Sequence, residues 1–352
     1  HSAGRISAHN RNDYRKALNF YKKSLEINRS INRKSGSATS LFSIGTVYDN
    51  LGRYDSALVY YIEAQAISES INDAGLMAYS NVSMANVYYK MGNTTGAIKY
   101  NEEAIRLYEN AGNDYGLLKV NLALGQMLAD ADSLDRAIMT FREALKTAYR
   151  IRSINDIAVS HFSLGNIYEN LGQVDSSLLN YKKALDKFIE AENYENIAFS
   201  LMAVARLDNL KRNHDEARML LEEALNIAEN IGSPSALMQG YQEMALTYSY
   251  LKDYKNAYAF FHKYSSAKDS VMTVEKQKQI LELQTQYETE KKDRENIMLR
   301  KDQQILQSAR NSLIIGALLL LLVVFVIFNS LRIKRRDNKL LREQRDEIAR
   351  QK

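Results

Sequence analysis

"IGTVYDNLGRYDSALVYYIEA", residues 44–64, comes back as "LGNIYENLGQVDSSLLNYKKA", residues 164–184. In both, a glycine follows an aliphatic residue, a second glycine breaks the middle, and an alanine or serine is followed four places later by tyrosine. These are two members of a longer series. At intervals of 40, one column reads Ala17, Ala57, Ala97, Ala137, Ser177, Ala217 and Ala257, with no insertion or deletion. Four places on stand Tyr21, Tyr61, Asn101, Phe141, Tyr181, Leu221 and Phe261; seven places on, Ser24, Ala64, Ala104, Ala144, Ala184, Ala224 and Tyr264. A fixed period of this length marks a stacked array, because one unit cannot bury its apolar face without its neighbours.

Upstream in each unit lies a second signature: Ile44-Gly45 then Tyr48, Leu164-Gly165 then Tyr168, with Met84-Ala85, Leu124-Gly125, Val204-Ala205 and Met244-Ala245 between and beyond. Spacings of three and four make each unit two helices. The small residues let their backbones approach, and the bulky residues fill the groove that results. Gly52 and Gly172 suit a helix end, and Asp55 and Asp175 suit the start of the next helix.

Over residues 10–265 these columns resemble the tetratricopeptide repeat family, with its L-G-x-x-Y and later A-x-x-x-F pattern. The period departs from the family's 34, and the family's tryptophan position holds Leu41, Asn81, Asn121, His161, Leu201 and Tyr241. The resemblance implies an all-α fold: a helical solenoid over residues 1–265, made of a partial first repeat and six repeats of 40. The added residues are expected in connections such as "ESINDAG" and "ENAGNDYG", and the first unit lacks most of its leading helix. It also implies a concave face lined by the leading helices that takes a peptide or protein ligand. The positions that would line it are Phe42, Tyr79, Asn86, Tyr89, Phe162, Asn166, Phe199 and Arg206, with Lys119, Gln126, Met202 and Gln242 among them. Amide side chains can bond a peptide backbone at both ends; several of these positions would equally serve packing between units. The lysine clamp of some relatives is not reproduced, since its first lysine position holds Phe42, Val82, Leu122, Phe162, Met202 or Gln242. Chaperone-tail binding is therefore not expected.

Composition narrows the function further. A single proline and modest glycine favour long helices. The absence of cysteine excludes disulfides, thiolate metal sites and cysteine nucleophiles. The formal charge of +5 is local: from Arg310 onward there are ten Lys/Arg against four Asp/Glu, which leaves the preceding residues at −1. A nucleic-acid partner, which would call for a basic stripe on the folded part, is not expected. The five histidines, His1, His9, His161, His214 and His262, have no metal-ligand spacing with acidic partners. Neither a metal nor a cofactor is expected, and no nucleophile, phosphate-loop or dinucleotide motif occurs.

After Tyr264 the register ends. Residues 266–311 are highly charged, free of glycine and proline, and helix-forming. Ile280, Leu283 and Tyr287 fit a coiled-coil seam, giving either a dimeric stalk or a single helix folded back on the last repeats. Leu313 to Phe328 then forms an unbroken apolar run of sixteen residues, about 24 Å of helix; extended to Ile333 it reaches about 31 Å, the thickness of a hydrocarbon core. Residues 312–333 are thus read as a transmembrane helix. The fifteen residues before Leu313 hold three Lys/Arg and the fifteen after Phe328 hold six, which points the carboxy end to the cytoplasm. Residues 334–352 read as the start of a cytoplasmic coiled coil.

Helical repeats, charged stalk, single span, basic cluster and coil, in that order, resemble the sensor half of tetratricopeptide-containing membrane histidine kinases of Gram-negative bacteria. That resemblance implies the inner membrane, a single pass, periplasmic repeats, a homodimer, and a kinase output that these residues do not themselves contain. Two other readings stay open: a membrane-anchored scaffold for protein assembly, or the sensor half of a repeat-linked transcription regulator or phosphatase.

Overall fold

The computed structural model describes residues 11–350. Trailing helices α1 (Arg11–Ser30), α3 (Tyr54–Ser70), α5 (Thr94–Asn110), α7 (Leu134–Arg150), α9 (Val174–Glu190) and α11 (His214–Ile231) alternate with leading helices α2 (Lys34–Asn50), α4 (Ala74–Lys90), α6 (Asp114–Asp130), α8 (Ile154–Asn170), α10 (Tyr194–Leu210) and α12 (Pro234–Tyr250). A last helix, α13, runs Tyr254–Arg350. No strand occurs among the described residues.

Helices from α2 onward start every 20 residues. Most span 17 residues, so the connection is three residues long. This corrects one expectation: the residues that stretch the repeat from 34 to 40 lie in the helices. "ESINDAG" contributes only Ile71, Asn72 and Asp73 to a connection, and "ENAGNDYG" only Ala111, Gly112 and Asn113. One residue of every connection is left-handed, the middle one of three except at Gly232 in the two-residue connection before α12, with φ between +52° at Glu192 and +79° at Gly92. That one conformation reverses the chain, and the amide after it bonds back into the last helical turn, as from Arg53 to the Tyr48 carbonyl at 2.9 Å. The Asp73, Asn93 and Asn113 side chains then accept from the amide three residues ahead at 2.9–3.0 Å. Asp55 and Asp175 stand one place inside their helices, where a negative charge meets the positive end of the helix dipole.

Packing follows the columns. The alanine columns at Ala57, Ala97, Ala137 and Ala217, and at Ala64, Ala104, Ala144, Ala184 and Ala224, are 0–1% exposed, so the two helices of each unit close on each other there. Glycine in the leading helix goes with an aromatic ring in the trailing one: a Cβ on Gly45, Gly125 or Gly165 would come within 2.6–2.8 Å of the ring of Tyr61, Phe141 or Tyr181. Where alanine replaces glycine, at Ala85, Ala205 and Ala245, the facing column holds Asn101 and Leu221, both smaller than a ring, and Phe261. Leading helices of successive units also touch one another, α2 with α4, α6 with α8 and α10 with α12, to an extent that no two trailing helices do. The leading layer is therefore the inner, concave one.

The chain divides into two units, residues 1–286 and 287–352. In the first, the ring column that is buried at Tyr61, Phe141, Tyr181 and Leu221 emerges at Phe261, which is 58% exposed, because no further leading helix covers it. The second unit is helical to Arg350 and contains a stretch, Arg294–Lys334, long and apolar enough to cross a membrane; its most apolar 18-residue window has mean hydropathy 2.9 and is not buried. Leu313, Leu320 and Phe325 are all exposed. The expected seam through Ile280, Leu283 and Tyr287 falls outside the residues whose side chains are described.

Candidate functional site on the concave face

The leading helices present two different surfaces along the inner layer. At the α2–α4 end it is aromatic. Phe42 and Tyr79 pack with ring centroids 4.4 Å apart, and Phe42 also lies against Tyr61 at 5.2 Å. Phe42 is thus half-buried between units, while half of Tyr79 faces solvent. Burial pushes the Tyr61 hydroxyl up to about 12; it donates to Thr46. Asn86 is half-buried on the same layer.

From α6 to α10 the surface turns polar and opens into a cleft of about 440 Å³, lined by Gln126, Asp130, Ser163, Asn166, Glu169, Asn170 and Arg206, with Phe141 and Ile167 among its walls. Asp130, on the rim, is held from two sides: the Tyr89 hydroxyl of α4 donates to one carboxylate oxygen and the Gln126 amide to the other at 2.8 Å. The bond to Asp130 keeps the Tyr89 hydroxyl protonated above its ordinary range.

At the other wall Tyr181 donates to Asn166 Oδ1 and to Glu169 Oε2, both at 2.6 Å. Arg206 forks onto Glu169, with Nε to Oε1 at 2.6 Å and Nη2 to Oε2 at 2.8 Å, and reaches Glu243 Oε1 with Nη1 at 3.2 Å. One guanidinium therefore serves two carboxylates. Burial works against ionisation of both, but the paired bonds from Arg206 and the one from Tyr181 bring Glu169 below its ordinary value. Glu243 has the single longer bond, and burial leaves it above its ordinary value. Tyr181 is raised by burial and then by Glu169. The network ties three successive units together, and the ion pair of Lys119 with Asp156 at 2.7 Å joins the unit before them to the first of the three.

Of the eight sequence-derived positions, the structure brings Asn166 and Arg206 into the cleft, places Tyr89 on its rim through Asp130, and puts Phe42 beside Tyr79 at the other end. Phe162 and Phe199 are half-buried against the core formed by α8–α12; Phe162 covers Tyr181 at 5.3 Å and Phe188 at 6.4 Å. Met202 is fully buried, so it is core. Sequence reasoning missed Asp130, Glu169 and Glu243. A signal was available: Lys119 and Asp156, Glu169 and Arg206, and Arg206 and Glu243 each lie 37 residues apart with opposite charge. His161 is buried with Nδ1 3.0 Å from Asn180 Oδ1, and burial lowers its pKa. His214 stacks on Tyr250 at 5.1 Å. Neither meets a metal-binding group among the described residues.

A comparison with family models gives the same answer as the columns: the tetratricopeptide repeat model matches residues 6–70, 76–150 and 156–230. The chain belongs to the tetratricopeptide repeat family. Its array is a protein-binding scaffold of the kind this family builds. Solved structures share the fold. A Pyrococcus horikoshii signal-transduction ATPase with numerous domains, which has a tetratricopeptide repeat sensor, aligns at TM-score 0.62 and 19% identity over 70% of this chain, which spans 39% of that protein's length. BtubC (BKLC) of P. vanneervenii aligns at 0.55 and 16% identity, over 62% of this chain and 92% of that one. Aspartyl phosphate phosphatase F of Bacillus subtilis aligns at 0.54 and 15%, over 69% and 74%. No curated protein matches the sequence.

Proposed function

We propose that this tetratricopeptide array is the extracytoplasmic ligand-binding region, and α13 the membrane anchor, of a signal-transducing receptor of the two-component histidine-kinase type. The observation that carries the reading is the joining of one protein-binding array to one exposed apolar helix that has twice as many basic residues after it as before it. A peptide or protein segment lies along the concave face, contacting Tyr79 and the Asn166–Arg206 cleft. The array works as a homodimer in a bacterial inner membrane, with the repeats in the periplasm and residues after Ile333 in the cytoplasm.

A receptor of this build signals through two arrangements of its helices that the ligand favours unequally. Because each unit packs only on its neighbours, a segment bridging α4 to α12 changes the angle between units, and the continuous helix passes the change on. The sensor array of the Pyrococcus ATPase is a precedent for sensing by this fold. The test is a chimera of residues 1–352 with a kinase module that drives a reporter gene. Two glycines inserted beside Arg310 should alter its output while leaving the protein in the membrane. Identical output from the two chimeras contradicts signal passage through this helix.

A further inference from the structure

We infer that the cleft between α6 and α10 receives a lysine or arginine side chain of an extended peptide; this rests on the concave face being the ligand groove. Helices α6, α8, α10 and α12 carry seven Asp/Glu and only two Lys/Arg. Both cations are already committed, Lys119 to Asp156 and Arg206 to Glu169 and Glu243.

The shortage of positive charge is concentrated where the cleft opens. Glu169 and Arg206 line the cleft, and that one guanidinium is shared with Glu243, which stands outside the lining, is 8% exposed and has only its outer reach among the described residues. Across the cleft Asp130 is exposed yet fixed in direction by Tyr89 and Gln126. A carboxylate held by neighbours needs no reordering to accept a cation. The amides of Asn166 and Asn170 beside it suit a peptide backbone. An acidic or carboxylate-terminated segment would meet Asp130 and Glu169 with like charge, so the cleft selects against it as well as for a base.

The test is selection of a random dodecapeptide library on the full chain in lipid nanodiscs, followed by affinity measurement on synthetic winners. Enrichment of lysine and arginine is expected, with binding about tenfold weaker for Asp130→Asn, preference turned toward acidic peptides for Asp130→Lys, and no change for Asp55→Asn on α3. Asp130 lies at the surface, so these variants keep the fold. Neutral or acidic winners that are lost on Tyr79→Ala or Asp130→Lys overturn the inference while leaving the groove reading standing. Basic winners indifferent to Asp130 and Glu169→Gln also overturn it. Winners that depend on no concave-face residue, or no winners at all, overturn both.

Discussion

The ring of Tyr181 occupies the space that a side chain at residue 165 would need: a Cβ on Gly165 would lie 2.6 Å from two of its carbons. Neither helix can retreat, because the Ser177 hydroxyl bonds the Gly165 carbonyl at 2.9 Å on the same face. Gly165→Ala should therefore destabilise the array by about 1–3 kcal/mol, despite alanine's better helix propensity. Adding Tyr181→Leu recreates the Ala205–Leu221 pairing of a neighbouring unit and should restore part of the loss. Thermal denaturation of the single and double variants checks this; additive losses would show that the two sites do not share the space.

Five connections use a left-handed residue other than glycine or asparagine: Asp132, Arg152, Glu192, Arg212 and Lys252. Such a residue is strained by contact of its Cβ with the following carbonyl. Arg152→Gly and Glu192→Gly should each raise stability by about 0.5–1 kcal/mol, whereas Gly172→Ala should lower it by a similar amount. Chemical denaturation midpoints measure both directions.

The contrast between these positions shows how much of the fold could be read. Gly52 and Gly172 announce their turns, but Arg152 and Glu192 adopt the same φ without any compositional sign, because the packing of flanking helices imposes it. The 40-residue columns were legible since each contact they describe is made within a unit or with the next. The cleft was half legible. Asn166 and Arg206 follow from which helix faces inward, while Glu169 and Asp130 become part of the site only through partners 37 and 41 residues away, a spacing set by how the units stack. The 17-residue helix length was likewise invisible, since "ESINDAG" looks like a loop and is mostly helix.

Glu243 and Glu169 give stability opposite dependence on pH. A carboxyl whose folded pKa is raised binds protons more readily when folded, so its contribution falls as pH rises through the window above about 4.3, its unfolded value. Glu243→Gln should therefore alter stability more favourably at pH 7 than at pH 4, where the native carboxyl is itself neutral in the folded state. Glu169, held low, contributes stability above its unfolded value that is lost as pH falls through its folded one. Glu169→Gln should be destabilising at pH 7, with the deficit shrinking in acid. Melting temperatures of both variants between pH 4 and pH 8 test the pair of signs.

His161 occupies the column that Leu41 and Leu201 fill elsewhere, and burial depresses its pKa. A depressed histidine contributes stability above its unfolded value of about 6.5 that is lost as pH falls through the folded value. His161→Leu should flatten the stability profile between pH 7 and pH 5. An unchanged slope would place the acid sensitivity elsewhere.

The most direct measurement of the receptor reading uses the absence of native cysteine. Single cysteines at Asn166, in the cleft, and at Lys339, past the apolar helix, are exposed in turn to a membrane-impermeant maleimide in bacterial cells with a permeabilised outer membrane and an intact inner one. Asn166→Cys should label at once and Lys339→Cys only after the inner membrane is opened. Labelling of Lys339→Cys in intact spheroplasts, with Asn166→Cys protected, or labelling of both, contradicts a single-pass receptor with its repeats outside.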